Sequence, residues 1–183
     1  MHPTHSFALG GSRHLAPSPI ITEVVGAILD SGTNIHTGCC TGADQHIITT
    51  TCRRAPERLS IFTDFSPACA GGWQYSAFQQ VAAAASSGAS ISYLAGGPLS
   101  LPLAARLIRR SCASFAGCSA LILFSPGAGS LAVAALAHSA GIPCLAFSTG
   151  TPGKIPGHSG HWENGRIVAM PCWHWQPAQV KLL

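Results

Sequence analysis

Three short stretches hold the residue types that grip a phosphate. They are Gly10-Gly11-Ser12-Arg13, the run Gly38-Cys-Cys-Thr-Gly42-Ala-Asp44, and Pro126-Gly127-Ala128-Gly129-Ser130. Each follows an apolar run and precedes an amphipathic one, the place where a strand passes into a helix. Glycine there lets backbone amides approach an anion at a helix N-terminus, where the dipole also favours negative charge. Tight strand-to-helix turns need glycine in any case, so one such stretch would mean little; three form a pattern. None is a Walker A loop or a GxGxxG fingerprint. Arg13 puts positive charge near a helix N-terminus, which is unfavourable without an anion. Of Arg109 and Arg110, one is expected to face the cleft and the other solvent. Asp44 reads equally as a charge at the start of its helix and as an acceptor for a ligand hydroxyl. Ser12 and Ser130 read as caps or as ligand contacts. Cys39 and Cys40 read as small packing residues, although a helix N-terminus would favour a thiolate.

The elements that carry these turns follow from apolar periodicity. Residues 5–10 form a short strand. Ser18, with Pro19 at the first turn, opens a helix to about Ser31, and Ile21, Val24, Val25, Ile28 and Leu29 share one face. Strands at 34–37, 59–63, 91–94, 120–124 and 141–147 alternate with helices at 43–54, 75–87, 102–115 and 131–139, and residues 64–72 form a loop. This alternation implies a parallel sheet with helices on both faces, a three-layer, doubly wound, Rossmann-like α/β fold. In that fold a ligand lies beyond the carboxyl ends of the strands, where chain order reverses. Residues 1–148 form this domain. Residues 149–183 are a Gly/Pro/Trp-rich extension packed on it, expected as a short hairpin that turns at Asn164-Gly165.

Composition narrows the function. The 183 residues include only ten basic and six acidic side chains, for a net charge of +4. Paired-carboxylate chemistry must draw on Glu23, Asp30, Asp44, Glu57, Asp64 and Glu163. Eight of the basic residues are arginine, which suits bidentate phosphate recognition. The mild charge fits an anionic small ligand and argues against nucleic acid, which calls for a denser basic face. The eight cysteines contain no CxxC pair, and the N-terminus lacks the pattern of a signal peptide. No apolar run reaches the ~20 residues of a membrane span, so a cytoplasmic chain is expected. An apolar content of 47% beside 9% charge leads us to expect a homodimer or higher homo-oligomer.

The order of the motifs resembles the SLOG superfamily. Three features carry the likeness, over about residues 5–148: a first strand ending in Gly-Ser-Arg13, a second running into Thr37-Gly-x-x-x-Gly-Ala-Asp44, and a strand–Pro-Gly-x-Gly-Ser130–helix–Gly141-Ile-Pro143 element. The superfamily groups the Lonely Guy phosphoribohydrolases, the DNA-processing protein DprA and nucleotide-sensing domains. The resemblance implies a pocket for a nucleotide or nucleotide-derived ligand. In Lonely Guy enzymes an arginine before the Pro-Gly-Gly loop and a glutamate in the next helix split an N-glycosidic bond. Arg110, with Arg109 as alternate, matches the arginine. The glutamate position falls on Ala132 or Val133, which offer no acid or base, and the loop is one residue shorter.

The expectation is therefore a domain that binds a nucleotide-derived ligand without hydrolysing it, as a sensor or sequestering protein and by family analogy in a mobile or defence-associated system. A divergent nucleoside 5′-monophosphate phosphoribohydrolase is the first alternative and a DprA-like nucleic-acid-binding protein the second. The ligand-binding residues expected are Gly11, Ser12, Arg13, Gly38, Gly42, Asp44, Arg109, Arg110, Gly127, Gly129 and Ser130. No catalytic residue, cofactor or metal is assigned. In the tail, His158, His161, Cys172 and His174 offer four zinc-type ligands at an unusual spacing. An aromatic lid or dimer contact built from the tail tryptophans is the favoured reading there.

Overall fold

The computed structural model describes residues 5–66 and 75–178. Most of the loop expected at 64–72 therefore lies outside the described residues. In chain order the elements are β1 (Ser6–Gly11), α1 (Pro19–Asp30), β2 (Asn34–Thr37), α2 (Ala43–Cys52), a 3-10 turn (Pro56–Arg58), β3 (Leu59–Phe62), α3 (Tyr75–Ser86), β4 (Ser90–Ser92), α4 (Leu103–Phe115), β5 (Ala120–Phe124), α5 (Ala128–Ser139), β6 (Cys144–Phe147), β7 (Gly160–Ile167) and β8 (Met170–Pro177). They form one eight-stranded sheet in the order β4-β3-β2-β1-β5-β6-β8-β7. It is parallel through β6 and closes with an antiparallel hairpin, β8 lying against β6. Chain order reverses beside β1, which pairs with β2 on one side and β5 on the other.

Strand β5 shows why the sheet is buried on both faces. Ala120, Ile122 and Phe124 join the core under α1, α2 and α3, while Leu121 and Leu123 join the core under α4 and α5. A continuous apolar strand is what a two-faced sheet requires. Helix α1 seals the first core as its spacing predicts, with Ile21, Val24, Val25, Ile28 and Leu29 all buried. Each such side chain contributes on the order of 1.5–3 kcal/mol of burial. Gly32, at φ +80°, turns the chain toward β2.

The tail departs from expectation in two ways. The hairpin turns at Val168 and Ala169, whose φ values are 43° and 67°. Asn164 and Gly165 instead pair with Trp173 and Cys172 inside the ladder. Register is fixed by packing: Trp162 and Trp175 are cross-strand partners, both buried, with ring centres 5.4 Å apart. Shifting the turn to Asn164-Gly165 would break that pair. Accordingly, Trp162 and Trp175 are not a lid but part of the second core, and the Trp162 indole N–H donates to the Gly153 carbonyl at 2.8 Å.

Candidate functional site

The second glycine-rich loop builds the centre of the site. Gly38 follows β2 directly and is buried. A Cβ on it would stand 2.7 Å from Asp44 Oδ2 and 2.9 Å from the Arg110 guanidinium. The carboxylate of α2 and the cation of α4 therefore flank one small gap, which exists because residue 38 has no side chain. Asp44 also lies over β1, with its Oδ1 3.5 Å from where a Gly10 Cβ would be. Its other oxygen accepts the Cys40 N–H at 3.0 Å.

Arg110 is 7% exposed. Its Nη1 donates to the Cys40 sulfur at 3.3 Å and lies 3.7 Å from the Cys39 sulfur. Its Nε is buried with no hydrogen-bond partner among the described residues, as is the Thr37 hydroxyl just before Gly38. The ion pairs among the described residues are Arg54–Asp30, Arg106–Asp64 and His161–Glu163, so Arg110 lies within 4 Å of no carboxylate. A buried guanidinium without a close anion is costly. Burial opposes its charge and the Asp44 carboxylate favours it, and a guanidinium stays protonated in a protein in any case. Burial pushes the Cys39 thiol up to about 12 and raises the Cys40 thiol too, against the pull of Arg110. Both are therefore neutral near pH 7, neither nucleophile nor counter-ion. Burial likewise raises the Asp44 pKa, opposed by Arg110, the Cys40 amide and Arg13. The cluster holds one fixed cation and a carboxyl group that can give or take a hydrogen bond.

The other expected residues distribute around this centre. The Ser12 amide is already spent on the Phe124 carbonyl at 3.0 Å, and the Ser12 hydroxyl accepts the His14 N–H at 3.2 Å. A Cβ on Gly11 would collide with that same carbonyl, so Gly11 serves the close approach of β1 to β5. Gly42, at φ +74°, caps α2 and packs on the Ser12 and Arg13 backbone. Arg13 is exposed at this junction. Arg109 is exposed, while Arg110 is buried against the loop that follows β2.

The third loop is open. Gly127 is the N-cap of α5 and Ser130 its third residue, three positions earlier than the periodicity implied. Among the described residues no side chain caps this helix, and nothing lies within 4 Å of a Cβ placed on Gly127 or Gly129. Residues 127–129 are exposed at the carboxyl edge of the sheet, beside Ser125 at φ 43°. Ala132 is exposed and Val133 half-buried on the same helix.

Sequence reasoning passed over two features of this region. Arg106, one turn before Arg110, donates to the Asp64 carbonyl and lies 3.5 Å from its carboxylate. That pair fastens α4 to the end of β3, and the spacing Arg106–Arg110 was its only signal. His46 accepts the Ser18 N–H on Nδ1 at 3.1 Å, leaving Nε2 to donate to Thr22. It caps α1 from α2, a long-range contact with no local mark. The four tail residues weighed for zinc do not meet. His158 contacts Ser139 and His138, His161 pairs with Glu163, and Cys172 is buried in the first core. Among the described residues no three metal-binding side chains are grouped.

No family model matches the chain. No curated protein matches it either. A solved structure of DNA processing protein A from Helicobacter pylori, described for its single-stranded DNA binding mode, is similar in fold: TM-score 0.60, 17% identity, over 83% of this chain and 67% of that one. The likeness establishes a Rossmann-like fold. It also overturns the reading of nucleic acid as a poor partner, because a protein of this fold binds single-stranded DNA. A count of basic residues averages over the whole surface, whereas binding depends on where a few of them stand. Among the described residues no helix is long and apolar enough to cross a membrane.

Proposed function

We propose that this chain is a nucleotide-binding domain of the SLOG kind that holds a phosphorylated nucleotide unit without breaking its glycosidic bond. The observation that carries the reading is the Arg110 guanidinium, buried, without a close carboxylate, and facing the gap over Gly38. That gap is too tight for a carbon atom, so a phosphate oxygen would reach Arg110 only as the Asp44 carboxyl swings aside, and would then supply the missing partner with charge-assisted bonds of ~1.5–3 kcal/mol. The first-turn amides of α5 would take the same phosphate from the other side of the switch point, and Asp44 would accept from a sugar hydroxyl. Arg13 and Arg110 are its charged contacts, with Gly38, Gly42, Gly127, Gly129 and Ser130 giving backbone access. Ala132 and Val133 leave the Lonely Guy glutamate position without an acid, which favours binding over hydrolysis. The phosphorylated unit has a second possible form, a nucleotide within a single strand, and the likeness to DNA processing protein A favours it.

Incubation with nucleoside 5′-monophosphates tests the proposal. The nucleotide is expected to be retained through gel filtration, seen by native mass spectrometry, and recovered intact. Enzyme-like release of free base that is lost in Arg110→Gln would replace this reading with the phosphoribohydrolase.

A further inference from the structure

Arg13, already a contact of the site over Gly38, and Arg53 flank a groove that leads away from that site. The groove, of about 440 Å³, runs between the β1–α1 connection and the outer side of α2, and Arg13, His14, Gln45, His46, Thr49 and Arg53 line it. No Asp or Glu lines it. Both arginines are exposed, and among the described residues neither guanidinium has a hydrogen-bond or ion-pair partner. Their neighbours differ: Arg54 is paired with Asp30 at 2.7 Å, and Arg58 donates to the Leu29 carbonyl at 2.8 Å. The charge of Arg53 reaches into the groove, where it adds to burial in lowering the His46 pKa. His46 itself is fixed by Ser18 and Thr22, so that wall is rigid.

The two arginines are not equivalent. Arg53 sits at the C-cap of α2, the negative end of the dipole, and helix electrostatics alone would favour it there. Arg13 packs its backbone on Gly42, the N-cap of the same helix, where a cation is disfavoured. A positively lined groove with a cation at the wrong helix end is balanced by a bound anion. Helix α2, ten residues from Ala43 to Cys52, is roughly 15 Å long, so the two ends can hold different parts of one ligand.

We propose that this groove is a second phosphate subsite, so that the ligand carries one phosphate over Gly38 and another, on the far side of a nucleoside, between Arg13 and Arg53. The inference rests on the proposed function above. Two ligands supply this chemistry, a nucleoside 3′,5′-bisphosphate and the phosphodiester of a short single strand.

The experiment titrates a nucleoside 5′-monophosphate, its 3′,5′-bisphosphate and a 5′-phosphorylated dinucleotide into the wild-type protein, Arg53→Gln and Arg53→Lys. The second phosphate is expected to tighten wild-type binding roughly tenfold, as a charge-assisted contact does. Arg53→Gln is expected to remove that gain and Arg53→Lys to keep part of it, with monophosphate affinity moving less than twofold in either. The salt dependence of dinucleotide binding is expected to lose about 0.7 of slope in Arg53→Gln. A gain for both larger ligands identifies the phosphate itself as the recognised group, and a gain for the dinucleotide alone points to a strand. A gain that survives Arg53→Gln, or no gain at all, overturns the subsite. Arg53-dependent binding of the bisphosphate without any monophosphate binding would keep the groove and reject the site over Gly38. Failure of all three ligands to bind rejects both.

Discussion

At Gly38 one hydrogen atom stands where any other residue would carry a carbon, and the gap between Asp44 and Arg110 depends on that. Gly38→Ala is expected to push both side chains apart at a cost of about 1–3 kcal/mol of stability. It should also weaken nucleotide binding at least tenfold, read by thermal melting and titration in parallel. Asp44 gives the pH dependence. Its pKa is raised on folding, chiefly by burial, so its contribution to stability is complete below its unfolded value of 3.8 and is lost as pH rises through the higher folded value. Asp44→Asn keeps the neutral shape. The variant is expected to melt at or above the wild-type temperature at pH 7, and the difference should close as both are taken to acid pH. A variant that melts lower at pH 7 would mean the carboxylate stabilises Arg110 more than burial penalises it. These residues were partly legible in the sequence. Arg110 and Asp44 stood out because charge is scarce, whereas the orphaned Nε and the thiols that meet Nη1 depend on contacts some seventy residues apart.

At the scale of elements, local chemistry was legible and long-range pairing was not. Gly32 follows α1 where the expected helix ends, at φ +80°, whereas Gly141, expected to open a strand, stands at φ +75° before β6 begins at Cys144. The Ser12 amide, expected free for a ligand, is consumed by β5, a contact that only sheet order could reveal. The tail hairpin makes the same point in reverse: Asn164-Gly165 has ideal turn chemistry, yet the tryptophan pair sets the register and leaves Val168 and Ala169 at positive φ. A left-handed conformation costs a non-glycine residue roughly 1–2 kcal/mol, and more so a β-branched one. The double variant Val168→Asn/Ala169→Gly is therefore expected to stabilise the protein by about 1–2 kcal/mol. Chemical denaturation reads this directly, and an unchanged midpoint would refute the turn assignment. His46 makes a second element-scale prediction. Burial, aided by Arg53, lowers its pKa below 6.5, so its contribution is present above that value and is lost as pH falls. The Ser18 amide then loses its acceptor. Amide protection at the start of α1, corrected for the intrinsic pH dependence of exchange, is expected to fall as the wild type is taken to acid pH and to be low at all pH values in His46→Ala.

For the whole molecule, alternation of apolar runs was enough to give three layers and a parallel sheet, because that pattern is written locally in every element. The partner was harder, since composition counts charges without saying where they stand. Arg110 lies against the loop after β2 and Arg13 against the N-cap of α2, and the proposed function requires a phosphate shared between them and the start of α5. Ser130 offers the cleanest probe. As the third residue of an uncapped helix it accepts an aspartate well, gaining ~0.3–1 kcal/mol from the dipole, while the added charge repels a phosphate. The deciding measurement is calorimetric titration of wild type and Ser130→Asp with the nucleotide that the wild type retains, beside thermal melts of both. Ser130→Asp is expected to melt no lower than wild type and to bind at least tenfold more weakly; equal affinities would contradict the account and move the ligand away from the amino end of α5.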